Sequence, residues 1–104
     1  MDERRSQPRL TSSELVLVSW TKESAKLNQQ GTVQNLSLDG MGILVCDDLP
    51  VGTPVTVAYG HGELGGIVRH SAPKDHGVFI GIEFNEVSRN SMLHFQRELL
   101  IRER

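Results

Sequence analysis

Three arginines fall within six residues near the start of the chain: Arg4, Arg5 and Arg9, in the segment RRSQPR. A guanidinium is a flat fork of donors. It pairs with phosphate oxygens, engages two adjacent acceptors at once and stacks on planar rings, so the cluster suits a compact anion. A second group occupies Asn35-Leu36-Ser37-Leu38-Asp39-Gly40. Asn35 and Ser37 are two apart at a strand end, which puts amide and hydroxyl on one face, where they can address one edge of a bound base. Gly40 follows Asp39 in a predicted tight turn, and a glycine there tolerates positive φ and lets a ligand approach the backbone. Taken singly, each segment also has a plain structural reading, as a solubilising tail and as an Asx-stabilised hairpin.

Other chemistry finds little support. The four histidines, His61, His70, His76 and His94, have no metal-ligand spacing to one another or to Cys46, so no metal site is expected. Ser37 has no identifiable base or oxyanion hole, and the acids are scattered over predicted turns and strand ends; no catalytic residue is expected and the chain does not read as an enzyme. Gly60-His61-Gly62-Glu63-Leu64-Gly65 has the form GxGxxG, but β-like residues come after it instead of the helix that would hold a pyrophosphate, so it reads as a hairpin turn. Trp20 and Tyr59 fit a core or barrel rim.

Charge and composition narrow the partners. The formal net charge of -2 is a poor match to a polymeric nucleic acid, whose binders neutralise many phosphates. Residues 1–10 carry a net +1, which leaves -3 for the remainder, so any anion site is local and centred on the tail. Cys46 is the single cysteine and ends an apolar run, which predicts a small buried hydrophobe and a reducing cytoplasm. No run approaches the roughly 20 apolar residues of a membrane span, and MDERRSQPRL lacks a signal-peptide core, so no membrane insertion is expected.

The elements that must position these residues are mostly strands. Residues 1–13 are polar and aperiodic, a predicted flexible tail. Residues 14–104 form a single predicted domain. Strand candidates are 14–20, 31–36, 41–46, 54–60, 63–70 and 77–84, with TKESAKLNQQ (21–30) as a polar loop between the first two. In the last strand Val78, Ile80, Ile82 and Phe84 alternate with Phe79, Gly81 and Glu83 and predict one core-facing side. From about 88 to 102 the apolar spacing of Met92, Phe95 and Leu99 turns helical, with Ser88 as the expected N-cap and the barrel end as the expected docking place. The fold class is therefore all-β: a six-stranded antiparallel β-barrel with a C-terminal α-helix.

With both segments in this order in such a chain, the sequence resembles the PilZ family of bacterial proteins, whose signatures are RRxxxR near the N-terminus and [D/N]xSxxG after the second strand. Arg4, Arg5 and Arg9 match the first; Asn35, Ser37 and Gly40 match the second. LPVGTPV, IVRH and FIGIEF also look like the family's pattern, so the resemblance spans nearly the whole chain. It implies a split barrel and cyclic di-GMP as ligand, bound by these six residues, with no cofactor and with a downstream protein partner. The chemistry agrees, because guanine offers adjacent O6 and N7 acceptors to an arginine fork. Asn35 stands where an acidic residue is commoner, and Asp2 and Glu3 lie beside the arginines. The alternative the family allows is a PilZ-like adaptor with little nucleotide affinity, acting in protein–protein interaction in motility or pilus machinery.

Overall fold

The computed structural model describes residues 14–60 and 62–93. Six strands succeed one another: β1 (Leu15–Lys22), β2 (Ala25–Leu36), β3 (Gly40–Val45), β4 (Pro54–Tyr59), β5 (Gly62–Lys74) and β6 (Gly77–Phe84). Every pairing is antiparallel, and the order β1-β2-β3-β6-β5-β4 closes on itself through β1 and β4. Closure gives each strand a neighbour on both sides over part of its length, while the β1–β2 arm runs past it, with 25–30 of β2 paired to β1 alone.

Period-two patterning builds the interior. Val16 and Val18, Met41, Ile43 and Val45, Val55 and Val57, and Ile80, Ile82 and Phe84 all point inward and are buried. Val78 is half-buried and packs against the same core. Both ends are plugged. The linker 46–53 leaves β3 where Val45 faces Val78 and buries Leu49, whereas a helix over 86–93 leaves β6 where Gly40 faces Glu83 and buries Met92. Gln29 holds the linker by two hydrogen bonds to the Asp47 backbone, each 2.9 Å, and the Asp48 carboxylate accepts from the Ser71 hydroxyl.

Three expectations are corrected. The stretch 21–30 is not a loop: β1 and β2 run on through it to a two-residue turn at Glu23-Ser24, whose φ values of 52° and 71° are those of a type I′ hairpin. Its polar residues are strand residues because this arm is largely exposed on both faces. Ser88 is not the N-cap. Asn85 is, accepting the Ser88 N–H on its Oδ1 at 2.8 Å, and the helix starts at 86. Ser88 is instead buried, and its Oγ accepts the Gly65 N–H at 2.7 Å, tying the helix to β5. Cys46 is exposed, because it lies one residue past β3 where the linker begins.

Candidate functional site

Two bulges shape the outer face. β2 carries one extra residue, Gln34, between Val33 and Asn35, and β5 carries one, Arg69, between Val68 and His70. A bulge breaks the two-residue alternation and re-aims the side chains beyond it. Val33 and Val68 therefore face the core, while Asn35 and His70, each two residues further on, face out. Both bulges adjoin one cross-strand row: Asn35 pairs with Gly42, Gly42 with Gly81, and Gly81 with His70.

This row is the floor of an open depression of about 620 Å³ on the outer face, lined by Asn35, Ser37, Asp39, Gly40, Gly42, Arg69, His70, Phe79, Gly81 and Glu83 among others. The Phe79 ring lies over Gly42, where a Cβ would come within 2.5 Å of its Cζ and 2.9 Å of Asn35 Nδ2. His70 meets Phe79 edge-on at 6.0 Å between ring centroids, and Lys74 Nζ stands 5.8 Å from the Phe79 centroid. The wall thus combines an aromatic ring, an imidazole, an amide and an ion pair around bare backbone.

Ser37 and Gly40 form the β2–β3 turn at one end. The Ser37 hydroxyl donates to Gly40 O and accepts the Asp39 N–H, both at 3.3 Å, and Ser37 N–H donates to Gly40 O at 2.9 Å. Asp39 O accepts the Phe84 N–H at 2.8 Å, which fastens the turn to the end of β6. The reason for glycine at 40 differs from the expected one. Gly40 does not adopt a left-handed φ; a Cβ there would sit 2.0 Å from Ile82 O, so glycine is needed for β3 to approach β6.

Of the six residues expected from the sequence, Asn35, Ser37 and Gly40 converge on this depression. Arg4, Arg5 and Arg9 lie outside the described residues. Sequence reasoning missed Arg69, His70, Phe79 and Glu83. One signal was available, since Arg69-His70 puts two polar residues in succession after the core residue Val68, a break in alternation that a bulge explains. Arg69 Nε donates to Glu83 Oε1 at 2.7 Å, with the two side chains 59% and 49% exposed. That hydrogen bond, with the Arg69 charge, lowers the Glu83 carboxyl below its ordinary range. No cluster that could hold a metal ion occurs among the described residues.

A sequence profile of the PilZ domain matches residues 3–100, nearly the whole chain. The chain belongs to the PilZ domain family. The matched span holds both the arginine segment and the Asn35–Gly40 segment, so the recess and the arginines belong to one PilZ unit. PilZ domains are binding modules, serving as cyclic di-GMP receptors or as PilZ-like adaptors. No curated protein and no solved structure matches this PilZ chain. No helix among its described residues is long and apolar enough to cross a membrane.

Proposed function

We propose that this PilZ domain is a cytoplasmic cyclic di-GMP receptor in which Arg4, Arg5 and Arg9 close over a ligand seated against Asn35, Ser37 and Gly40. The observation that carries the reading is the position of the recess relative to the start of the barrel. Glu14 O accepts the Val33 N–H, and β1 is antiparallel to β2, so a chain continued backwards from Glu14 along β2 heads towards Asn35. Arg9 is five residues before Glu14, a reach of up to about 17 Å, enough to bring a guanidinium over the depression. Three guanidiniums offset the two ligand phosphates and can grip guanine edges. The amide of Asn35 adds a neutral donor and acceptor beneath them.

Signalling then results from ordering. Fixing a residue's backbone costs about 1 to 2 kcal/mol, so ligand contacts from three arginines offset that cost only over the short stretch from Arg4 to Arg9. The ordered segment and the filled recess together make a surface for a downstream protein. Amide hydrogen exchange tests this: cyclic di-GMP raises protection at residues 4–10 and 35–40 and leaves the rest of the barrel nearly unchanged. Uniform exchange with and without ligand would reject the clamp.

The adaptor reading has one observation in its favour. Leu15 and Leu17 are 63% and 38% exposed on the outer face of β1, an apolar strip that a partner could cover without any nucleotide. It takes precedence if cyclic di-GMP fails to bind.

A further inference from the structure

The β1–β2 arm leaves one strand edge open. Residues 25–30 of β2 pair with β1 alone, because β3 joins β2 only from Gly31 onward, and 25–28 are exposed. The hydrogen bond from the Val33 N–H to Glu14 O sets the parity of the ladder. Bonded pairs recur at every second residue, so Val18 with Gln29, Trp20 with Leu27 and Lys22 with Ala25 bond to each other. Lys26 and Asn28 therefore direct their N–H and C=O groups away from β1, where no described strand meets them. The side chains of the arm add to this. Trp20 and Leu27 oppose each other on one face, with Leu27 39% exposed, and Lys22 and Ala25 come next on the same face. Gln29, also on that face, holds the Asp47 backbone at 2.9 Å. Lys22 and Asp47 are both exposed, and neither has an ion-pair partner among the described residues.

A second copy of the same arm fits this edge in one register. Antiparallel neighbours set bonded residues opposite bonded residues, so Lys26 and Asn28 must face each other or themselves across a two-fold axis. Lys26 opposite itself sets like charges face to face. Asn28 opposite itself needs the open side of Gln30, and that place adjoins Cys46, since Gly31 already pairs with Val45. Leu27 opposite itself avoids both. Lys26 then bonds with Asn28 of the second copy on each side of the axis, and the two leucines meet at a non-bonded position, where side chains approach most closely. The apolar row Trp20-Leu27 continues into its own copy. Ala25 faces Gln29 of the second copy, just short of where its β3 ends, and the small methyl group leaves room for the Asp47 that Gln29 holds. Lys22, paired with Ala25 on that face, lies across it from this Asp47, so two Lys22–Asp47 ion pairs join the copies.

We infer that the open edge of β2 is a self-association surface, through which two copies join their β1–β2 arms into one four-stranded sheet with Leu27 at the two-fold axis. The inference does not depend on nucleotide binding. So short a pairing makes a small contact and a weak dimer, with a Kd on the order of 0.1 mM. The test is sedimentation equilibrium of the full chain without ligand, from about 10 μM to about 1 mM, beside Lys22→Glu, Asp47→Lys, the two reversals combined, and Asn28→Pro. Far-ultraviolet circular dichroism checks that each variant is folded. Proline at 28 removes an N–H that points away from β1, so the hairpin ladder is kept. The charge reversals fall on exposed side chains and carry the test alone should the proline variant not fold. The unaltered chain passes from monomer to dimer over this range. Asn28→Pro and each single reversal weaken the dimer about tenfold or more, and the combined reversal returns it to within about threefold of the unaltered chain. A chain that stays monomeric to about 1 mM overturns the inference. So does a dimer that none of the substitutions weakens, or a combined reversal no better than the single ones.

Discussion

Asn35 and His70 stand at opposite ends of one row on the outer face of the barrel, with only Gly42 and Gly81 between them. Neither would face out if β2 and β5 kept strict alternation from Val33 and Val68; a single extra residue in each strand turns them. Gly81 then leaves the sheet bare, while Gly42 makes room for the Phe79 ring that lies over it. The core beneath is unaffected, since Ile43, Ile80 and Val68 are fully buried on the inner face.

The glycines of this region should respond to substitution in opposite ways. Gly81→Val places its side chain into the recess with only ordinary crowding against His70 Cβ at 3.4 Å, so the barrel keeps its stability to within about 1 kcal/mol while cyclic di-GMP binding weakens about tenfold or more. Gly40→Ala drives a Cβ onto Ile82 O, 2.0 Å away, and should destabilise the fold by about 1 to 3 kcal/mol. Urea unfolding followed by Trp20 fluorescence, run beside a ligand titration, separates the two. A Gly81→Val protein that binds normally would remove the ligand from this floor.

The start of the helix offers a pair of stability measurements. Asn85→Ala removes the cap on the Ser88 N–H and should cost about 1 kcal/mol. Ser88→Ala leaves the Gly65 N–H without its acceptor, in a place where Ser88 is 4% exposed, and should cost more, about 1 to 3 kcal/mol. Equal and negligible effects in urea titrations would show that the helix contributes nothing to holding β5.

Alkaline stability should depend on Tyr59, the only tyrosine. Burial first, then the charge of Glu14 and a hydrogen bond to it, raise its pKa from 10.0 to about 12. A raised folded-state value means that the folded protein holds the phenolic proton more tightly than the unfolded chain. Stability from this group is complete below about pH 10 and falls as pH rises from about 10 to about 12. Tyr59→Phe should flatten that part of the profile relative to the unaltered protein, as measured by urea midpoints across the same range. Parallel profiles would contradict the assignment.

Strand patterning made the barrel legible because every inward residue of β3 and β6 obeys a two-residue period that a sequence displays directly. The GxGxxG segment was legible for the same reason: Tyr59 pairs with Gly62 in a hairpin and no helix comes after it. The polar arm 21–30 was not, since a strand exposed on both faces has no apolar period, and Glu23-Ser24 lacks the Asn or Gly that usually marks a type I′ turn. Half of the recess was hidden for another reason. Asn35, Ser37 and Gly40 are close together in sequence, but Arg69, His70, Phe79 and Glu83 reach them only through the β3–β6 and β5–β6 pairings and through a bulge whose one mark in the sequence is the adjacent polar pair Arg69-His70. Ser88 was assigned to the cap by its residue type, yet Asn85 takes that place because β6 ends at Phe84, immediately before it.

The most direct test of the receptor account is calorimetric titration of the full chain and of a chain lacking residues 1–9 with cyclic di-GMP, with GTP and cyclic GMP as controls. The full chain should bind cyclic di-GMP in the micromolar range or tighter, about -8 kcal/mol or more favourable, and well ahead of the controls. The shortened chain should bind none while keeping nearly the same ligand-free melting temperature, because the described core begins at Val16. No heat from the full chain at about 100 μM cyclic di-GMP, weaker than about -5 kcal/mol, or undiminished binding by the shortened one, would contradict the account.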